Sequence, residues 1–153
     1  MPDSARRDPA VPLHVHSVYS LGRGTATPAA LAEQAARYGH HTLALTDRNA
    51  LYGAIPFVEA CRDWGIRPIL GAEVDGPDGS AVLLVRDAVG YAHLCRLLSL
   101  RHLDPAFALV DALAAWGDGL HVLTGEPALL ARGRVFRTRP CARAPASSIL
   151  GAR

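Results

Sequence analysis

Apolar and polar positions change period repeatedly along the chain, and the changes divide it into short elements. An apolar run at residues 11–15 reads as an opening strand, and a glycine-bearing loop follows it. Thr27-Pro28 predicts a helix start, with threonine as N-cap and proline at the first helical position, and Gly39 predicts its end. A second strand over residues 42–46 runs into Asp47-Arg48-Asn49. Residues 50–64 read as a helix presenting Ile55, Val58 and Cys61 on one face and stopping at Gly65. Residues 67–71 predict a third strand ending in Ala72-Glu73, and Gly76-Pro77-Asp78-Gly79 predicts a tight turn. Residues 81–85 are continuously apolar, as in a strand buried on both faces.

A helix over residues 88–100 follows, with Tyr91, Leu94, Cys95 and Leu98 as its apolar stripe. A weaker helix over 105–116, a strand over 120–124 and a short helix opened by Pro127 complete the pattern, with no internal repeat. Helices alternating with strands, with one hairpin link, predict a largely parallel α/β sheet.

At 153 residues the chain forms one domain, too short for a complete (β/α)8 barrel of about 250 residues. No apolar run approaches the roughly 18 residues of a membrane span, and residues 1–10 lack the apolar core of a secretory signal. A soluble cytoplasmic protein is expected. Cys61, Cys95 and Cys141 are too widely spaced for a metal knuckle; Cys61 and Cys95 fall in helical patterns and are expected to be small buried side chains, and a reducing compartment fits.

The net charge of +2 conceals an asymmetry. Every basic residue is arginine; residues 1–131 hold 10 of them against 14 acids, whereas residues 132–153 hold 6 and no acid. The chain therefore divides into a polar leader (1–10), a mildly acidic domain (11–131) and a basic tail (132–153). The domain lacks the basic footprint of a nucleic-acid binder, so any DNA contact is weak or indirect. The tail has the composition of a disordered segment, and a basic arm of this kind can also touch phosphate backbones.

The candidate chemistry begins at His14 and His16. On a strand, side chains two apart project to one side, and two imidazoles there can form half of a zinc or manganese coordination sphere. Read alone, the pair fits structural or solvent-facing histidines better than a metal site. Asp47 and Glu73 end the next two predicted strands, and parallel connections bring such ends to one rim, where α/β folds place their sites. His40-His41 precede the second strand and lie at the opposite end. Ser17 reads as a loop hydrogen-bonder, with no His–Asp pair placed to activate it.

Three blocks, LHVHSVYSLGRG, LALTDRNALYGAIPFVEACRDWGIRPILGAEV and LLVRDAVGYAHLCRLLS, resemble the PHP (polymerase and histidinol phosphatase) domain that opens bacterial DNA polymerase III α subunits, most closely the error-prone branch. The resemblance implies a partial, distorted (β/α)7 barrel carrying up to three divalent metals. It also implies phosphoester hydrolysis, as a phosphatase or a proofreading 3′–5′ exonuclease, or a structural role where the site has decayed. His14, His16 and Glu73 stand at family ligand positions. Arg23, Arg48, Ser80 and Glu126 stand where the family has Asp, His, His and Cys, and the late Asp-x-His pair has no counterpart.

The family positions of Arg23 and Arg48 share one metal, and two guanidiniums there add roughly +3 of formal charge, a cost of several kcal/mol. At most one divalent metal (zinc, manganese or iron) is therefore expected, on His14, His16 and Glu73. The arginines become candidates for a phosphate, another anion or a carboxylate such as Asp47. Asp47 itself is expected to cap the next helix, orient a neighbour or contact a ligand residue.

Three readings stay open. The chain is a truncated PHP piece of an error-prone polymerase III α-type protein in DNA replication and repair, without polymerase activity and with weak phosphoesterase or exonuclease activity at best. Alternatively it is a stand-alone phosphoesterase on a small phosphate monoester, or a non-catalytic interaction module. The rest of a polymerase, replication or translesion proteins, or a second copy are the expected partners, since half a barrel leaves sheet edges uncovered.

Overall fold

A computed structural model describes residues 10–132. The rest of the polar leader and the basic tail beyond Arg132, Cys141 included, lie outside the described residues. The described residues form five helices and four strands in the order α1 (Pro28–Arg37), β1 (Thr42–Arg48), α2 (Ala54–Asp63), β2 (Arg67–Gly76), β3 (Gly79–Val85), α3 (Ala88–Leu103), α4 (Leu109–Trp116), β4 (Leu120–Leu123) and α5 (Pro127–Arg132). The expected α/β class stands. The sheet order is β1-β2-β3-β4, with β1 and β2 parallel and the other two pairings antiparallel. The largely parallel sheet of the sequence reading therefore holds only for direction: β1, β2 and β4 point one way, and the hairpin reverses β3.

Local chemistry explains the elements. The Thr27 hydroxyl accepts the Ala30 N–H at 3.2 Å and starts α1 at Pro28. Ala32 and Ala35 then let α1 approach Leu43, Leu45, Phe57 and Cys61 closely in one core cluster. A larger cluster joins Ala72, Val74, Ala81 and Leu83 of the sheet to Leu94, Leu97 and Leu98 of α3 and to Leu109 and Leu113 of α4. Gly90 is required where α3 meets the turn before β4, because a Cβ there would lie 1.8 Å from the Gly119 carbonyl oxygen.

Several expectations are corrected. Residues 11–15 make no regular strand. The segment lies along the outer edge of β1, where Ala44 and Thr46 donate their N–H groups to the Pro12 and Val15 carbonyls at 3.0 and 2.8 Å. Pro12 has no N–H, and the Val15 N–H goes to the Thr46 hydroxyl at 2.9 Å, so the ladder is broken from both sides. In α2 the buried face is Ala54, Phe57, Ala60 and Cys61, with Ile55 exposed and Val58 half-buried, because the Phe57 ring claims the core. Leu94 and Leu98 of the predicted α3 stripe are buried, but Leu97 replaces Tyr91 and Cys95 beside them.

The strand ending in Glu73 continues to Gly76, so Glu73 sits within β2, opposite Arg48 of β1. Helix α4 begins at Leu109 rather than near Pro105. Its cap comes from the hairpin turn: the Asp78 carboxylate accepts the Leu109 and Val110 N–H groups at 2.9 and 2.7 Å. Burial pushes the Cys61 thiol up to about 11, consistent with an inert core cysteine. No helix among the described residues is long and apolar enough to cross a membrane.

Leu83 is fully buried at the centre of the larger cluster. Leu83→Ala is expected to cost about 2–5 kcal/mol of stability, read from the urea midpoint at unchanged slope. A loss below about 1 kcal/mol would show that this cluster does not carry the fold.

Candidate metal site

The site is assembled by the loop after His16 folding onto the end of β1. Asp47 is 1% exposed, and such a carboxylate must be saturated with donors. It accepts the Ser17 N–H on Oδ1 at 2.7 Å, the Ser17 hydroxyl on Oδ2 at 2.7 Å and the Ser20 hydroxyl on Oδ1 at 2.6 Å. The loop closes with Arg23 and Gly24 donating to the Ser20 carbonyl at 2.9 and 3.0 Å and Val18 donating to Ala26 at 2.9 Å. Gly24 is obligatory, since a Cβ there would lie 2.0 Å from the Ser17 carbonyl oxygen.

This folding brings three donors to one point. His14 Nε2 and His16 Nε2 approach Glu73 Oε2 at 2.9 and 3.0 Å, and the two rings meet edge to face with centroids 4.8 Å apart. The ligand atoms of His14, His16 and Glu73 all lie within 4.8 Å of one another, the one group among the described residues that could hold a metal ion. Arg23 Nη1 donates to Glu73 Oε1 at 2.9 Å and to Oε2 at 3.2 Å. A cleft of about 440 Å³ opens beside them, lined by His14, Arg23, Glu73, Ser80, Leu123 and Thr124 among others.

The hydrogen bonds fix the tautomer of His16. Ser20 has one hydroxyl proton, and Asp47 takes it at 2.6 Å. The same oxygen accepts the Arg48 N–H at 3.0 Å and lies 2.9 Å from His16 Nδ1, so His16 carries its proton on Nδ1. In the neutral ring Nε2 is then a bare lone pair facing a carboxylate oxygen at 3.0 Å. Two acceptors at that distance repel unless a proton on Nε2 or a metal cation joins them. Two bonds of about 2.0 Å from one metal span such a separation, and His2Glu is a zinc donor set, so these residues fit a divalent cation.

Neither arginine holds Asp47. Arg23 pairs with Glu73, and Arg48 Nη2 pairs with Asp75 Oδ2 at 2.7 Å. Around Asp75 a second network forms: Asn49 donates its amide to the carboxylate and accepts the Asp75 N–H at 3.1 Å, and Arg101 donates to the Asp75 carbonyl. Asn49 takes a left-handed conformation (φ 51°), and its carbonyl oxygen lies 2.7 Å from His102 Nε2 of α3. Burial opposes ionisation of Asp75, but the Asn49 and Arg48 hydrogen bonds and the charges of Arg48 and Arg101 outweigh it and hold the carboxyl below its usual range.

Of the other sequence candidates, Ser80 lines the cleft, with its carbonyl accepting the Thr124 hydroxyl at 2.8 Å. Glu126 packs against Gly79 and does not join the donor cluster. Asp47 orients a neighbour, Ser20, and does not cap α2, which starts behind Gly53 without a side-chain cap. Ser17 serves as a loop hydrogen-bonder. Sequence reasoning missed Ser20, whose only signal is its place four residues after His16, and Asp75, two residues past Glu73.

An α/β sheet brings a His-x-His pair and a strand glutamate to one cleft, the makings of a metal-binding domain. The chain belongs to the PHP family: the PHP domain model matches residues 12–139. Among relatives, the error-prone DNA polymerase of Mycobacterium tuberculosis (strain ATCC 25618 / H37Rv) is 38% identical over 130 residues, covering 74% of this chain and 12% of that protein. The DNA polymerase III subunit alpha of Halalkalibacterium halodurans is 34% identical over 119 residues, covering 72% of this chain and 11% of that protein. This chain thus spans about an eighth of the length of such relatives. A solved amidohydrolase from Chromobacterium violaceum aligns with a TM-score of 0.49 at 30% identity, over 58% of this chain and 32% of that one.

The depressed carboxyl of Asp75 links stability to pH. Its contribution is complete above about pH 4, the ordinary aspartate range, and is lost as pH falls through the lowered folded value. Asp75→Asn is expected to be less stable than wild type at neutral pH, with the gap narrowing as pH drops from about 4 towards 2. Denaturant titrations across that range measure it; a gap that stays constant would mean the ion pairs contribute nothing.

Proposed function

We propose that this chain acts as the PHP domain of an error-prone-polymerase-type protein and binds one divalent cation through His14, His16 and Glu73, with slow phosphoester hydrolysis as its own chemistry. The observation that carries the reading is the contact between His16 Nε2 and Glu73 Oε2 at 3.0 Å, two acceptors that a cation would reconcile. The polymerase context is supported by the relatives, which are DNA polymerases many times longer than this chain. DNA synthesis itself is not assigned to these residues.

When bound, such a cation supplies Lewis-acid polarisation of a phosphoryl oxygen. The chain's own residues do the rest. Asp47 and Ser20 hold the His16 ring in its ligand tautomer, and the Ser17–Gly24 loop keeps Arg23 at the cleft. The open cleft admits a phosphate ester beside the donors, and the partly exposed Arg23 guanidinium offers N–H groups to its oxygens. Hydrolysis is slow because a single cation cannot clamp both the attacking and the leaving oxygen.

One observation favours a second reading, a scaffold without metal: Arg23 already neutralises Glu73. Elemental analysis after purification without added metal separates the two. About one zinc, iron or manganese per chain is expected, with none in His16→Ala and about 10- to 100-fold weaker binding in Ser20→Ala. Hydrolysis of p-nitrophenyl phosphate with Mn2+ should be slow in wild type and absent in His16→Ala. Metal-free protein with no shift in melting on adding Zn2+ or Mn2+ would leave the scaffold reading standing.

A further inference from the structure

We infer that Arg23 is the resident second cation of this site, so that the cleft is built for one metal ion and one fixed guanidinium. The inference rests on the one-cation reading above and says why the number is one. The two oxygens of Glu73 have different principal partners: Oε2 faces both imidazoles at 2.9 and 3.0 Å, while Oε1 takes Arg23 Nη1 at 2.9 Å, a nitrogen that reaches Oε2 at 3.2 Å. A carboxylate that bridged two metal ions would present one oxygen to each. Here one of those places is filled by a group that cannot deprotonate and cannot ligate.

Arg23 is not a stray surface charge that happens to reach Glu73. Its backbone N–H is bound by the Ser20 carbonyl at 2.9 Å, and the Ser20 hydroxyl is bound by the buried Asp47. The residue that sets the His16 tautomer therefore also anchors the backbone from which the guanidinium reaches Glu73. The other nearby cation, Arg48, is drawn off to Asp75 at 2.7 Å and leaves Glu73 to Arg23. Glu73 engages only Nη1, and a guanidinium has five N–H donors in a planar fork.

Arg23 lines the cleft, and its side chain is 46% exposed. A tetrahedral oxyanion, such as a phosphate monoester, would enter between the metal-holding imidazoles and this fork. A fixed guanidinium stabilises phosphoryl oxygens without the loss and recapture that a labile second ion entails.

Metal stoichiometry and affinity test this, measured by elemental analysis after dialysis and by calorimetric titration with Zn2+ and with Mn2+ alone. Wild type is expected to bind one ion. Arg23→Gln removes the charge without adding a ligand, and is expected to bind one ion about tenfold or more tightly, the scale of relieving a like charge a few ångström away. Arg23→Asp frees Oε1, adds a carboxylate beside it, and is expected to bind two ions.

Two ions in wild type would overturn the inference, as would an unchanged affinity in Arg23→Gln. A single ion at unchanged affinity in Arg23→Asp would overturn it as well. No ion in wild type or either variant would instead bring down the one-cation reading on which it rests. Circular dichroism and thermal melting check the fold of both variants; where Arg23→Asp fails to fold, the affinity of Arg23→Gln decides.

Discussion

The buried carboxylate of Asp47 is the constraint on which the site depends. A charge removed from water is tolerable only if donors surround it, and the donors here come from one short loop: the Ser17 amide and hydroxyl and the Ser20 hydroxyl. Satisfying Asp47 folds that loop over the end of β1. The fold of the loop turns His16 through Ser20 Oγ and carries Arg23 back to Glu73. One desolvated aspartate thus determines the orientation of a histidine and the placement of an arginine, neither of which it touches.

The sheet supplies the other half. Glu73 sits in β2 between the parallel neighbour β1 and the antiparallel neighbour β3, opposite Arg48 on one side and Val82 on the other. A residue hydrogen-bonded into a sheet on both sides has little backbone freedom, so the carboxylate is a fixed point to which the histidines come. The histidines belong to a segment tied to β1 by a few bonds rather than a full ladder. Rigidity on the carboxylate side and compliance on the imidazole side suit a site that must adjust by fractions of an ångström when a cation enters.

Much of this was legible in the sequence, for physical reasons. Thr27-Pro28 and the glycines ending α1 and α2 gave helix boundaries because caps are local chemistry. The convergence of His14, His16 and Glu73 was expected, but on premises the structure corrects: the opening segment is no regular strand and Glu73 lies within β2 rather than at its end. What was not legible depended on distant partners. The start of α4 is set by Asp78, some thirty residues away, and no local signal marks it. The break in the segment at residues 11–15 comes from the Thr46 hydroxyl competing for the Val15 N–H, a side chain on another element. Arg48 pairs with Asp75 instead of Asp47 because the hairpin extends β2 past Glu73 and brings Asp75 alongside Asn49.

Charge balance gives the site a direction of use. Glu73 and Arg23 cancel each other, Arg48 and Asp75 do the same, and His14 and His16 are neutral as metal ligands. A divalent cation added to that set leaves its charge uncompensated except by Asp47, whose oxygens are engaged by serines. Where a bridging glutamate would neutralise part of each of two metals, here it neutralises an arginine, and the proposed single metal keeps most of its positive field for whatever enters the cleft. A phosphate dianion is the ligand that such a field favours, because it can meet the metal and the guanidinium together. On the proposed one-metal reading, Arg23 therefore does not make the cleft indifferent to phosphate. Such a site would exchange turnover for affinity, because one cation and a guanidinium hold a phosphate well but leave the leaving oxygen without a second metal, which is the difference between a phosphoester-binding domain and an efficient phosphoesterase.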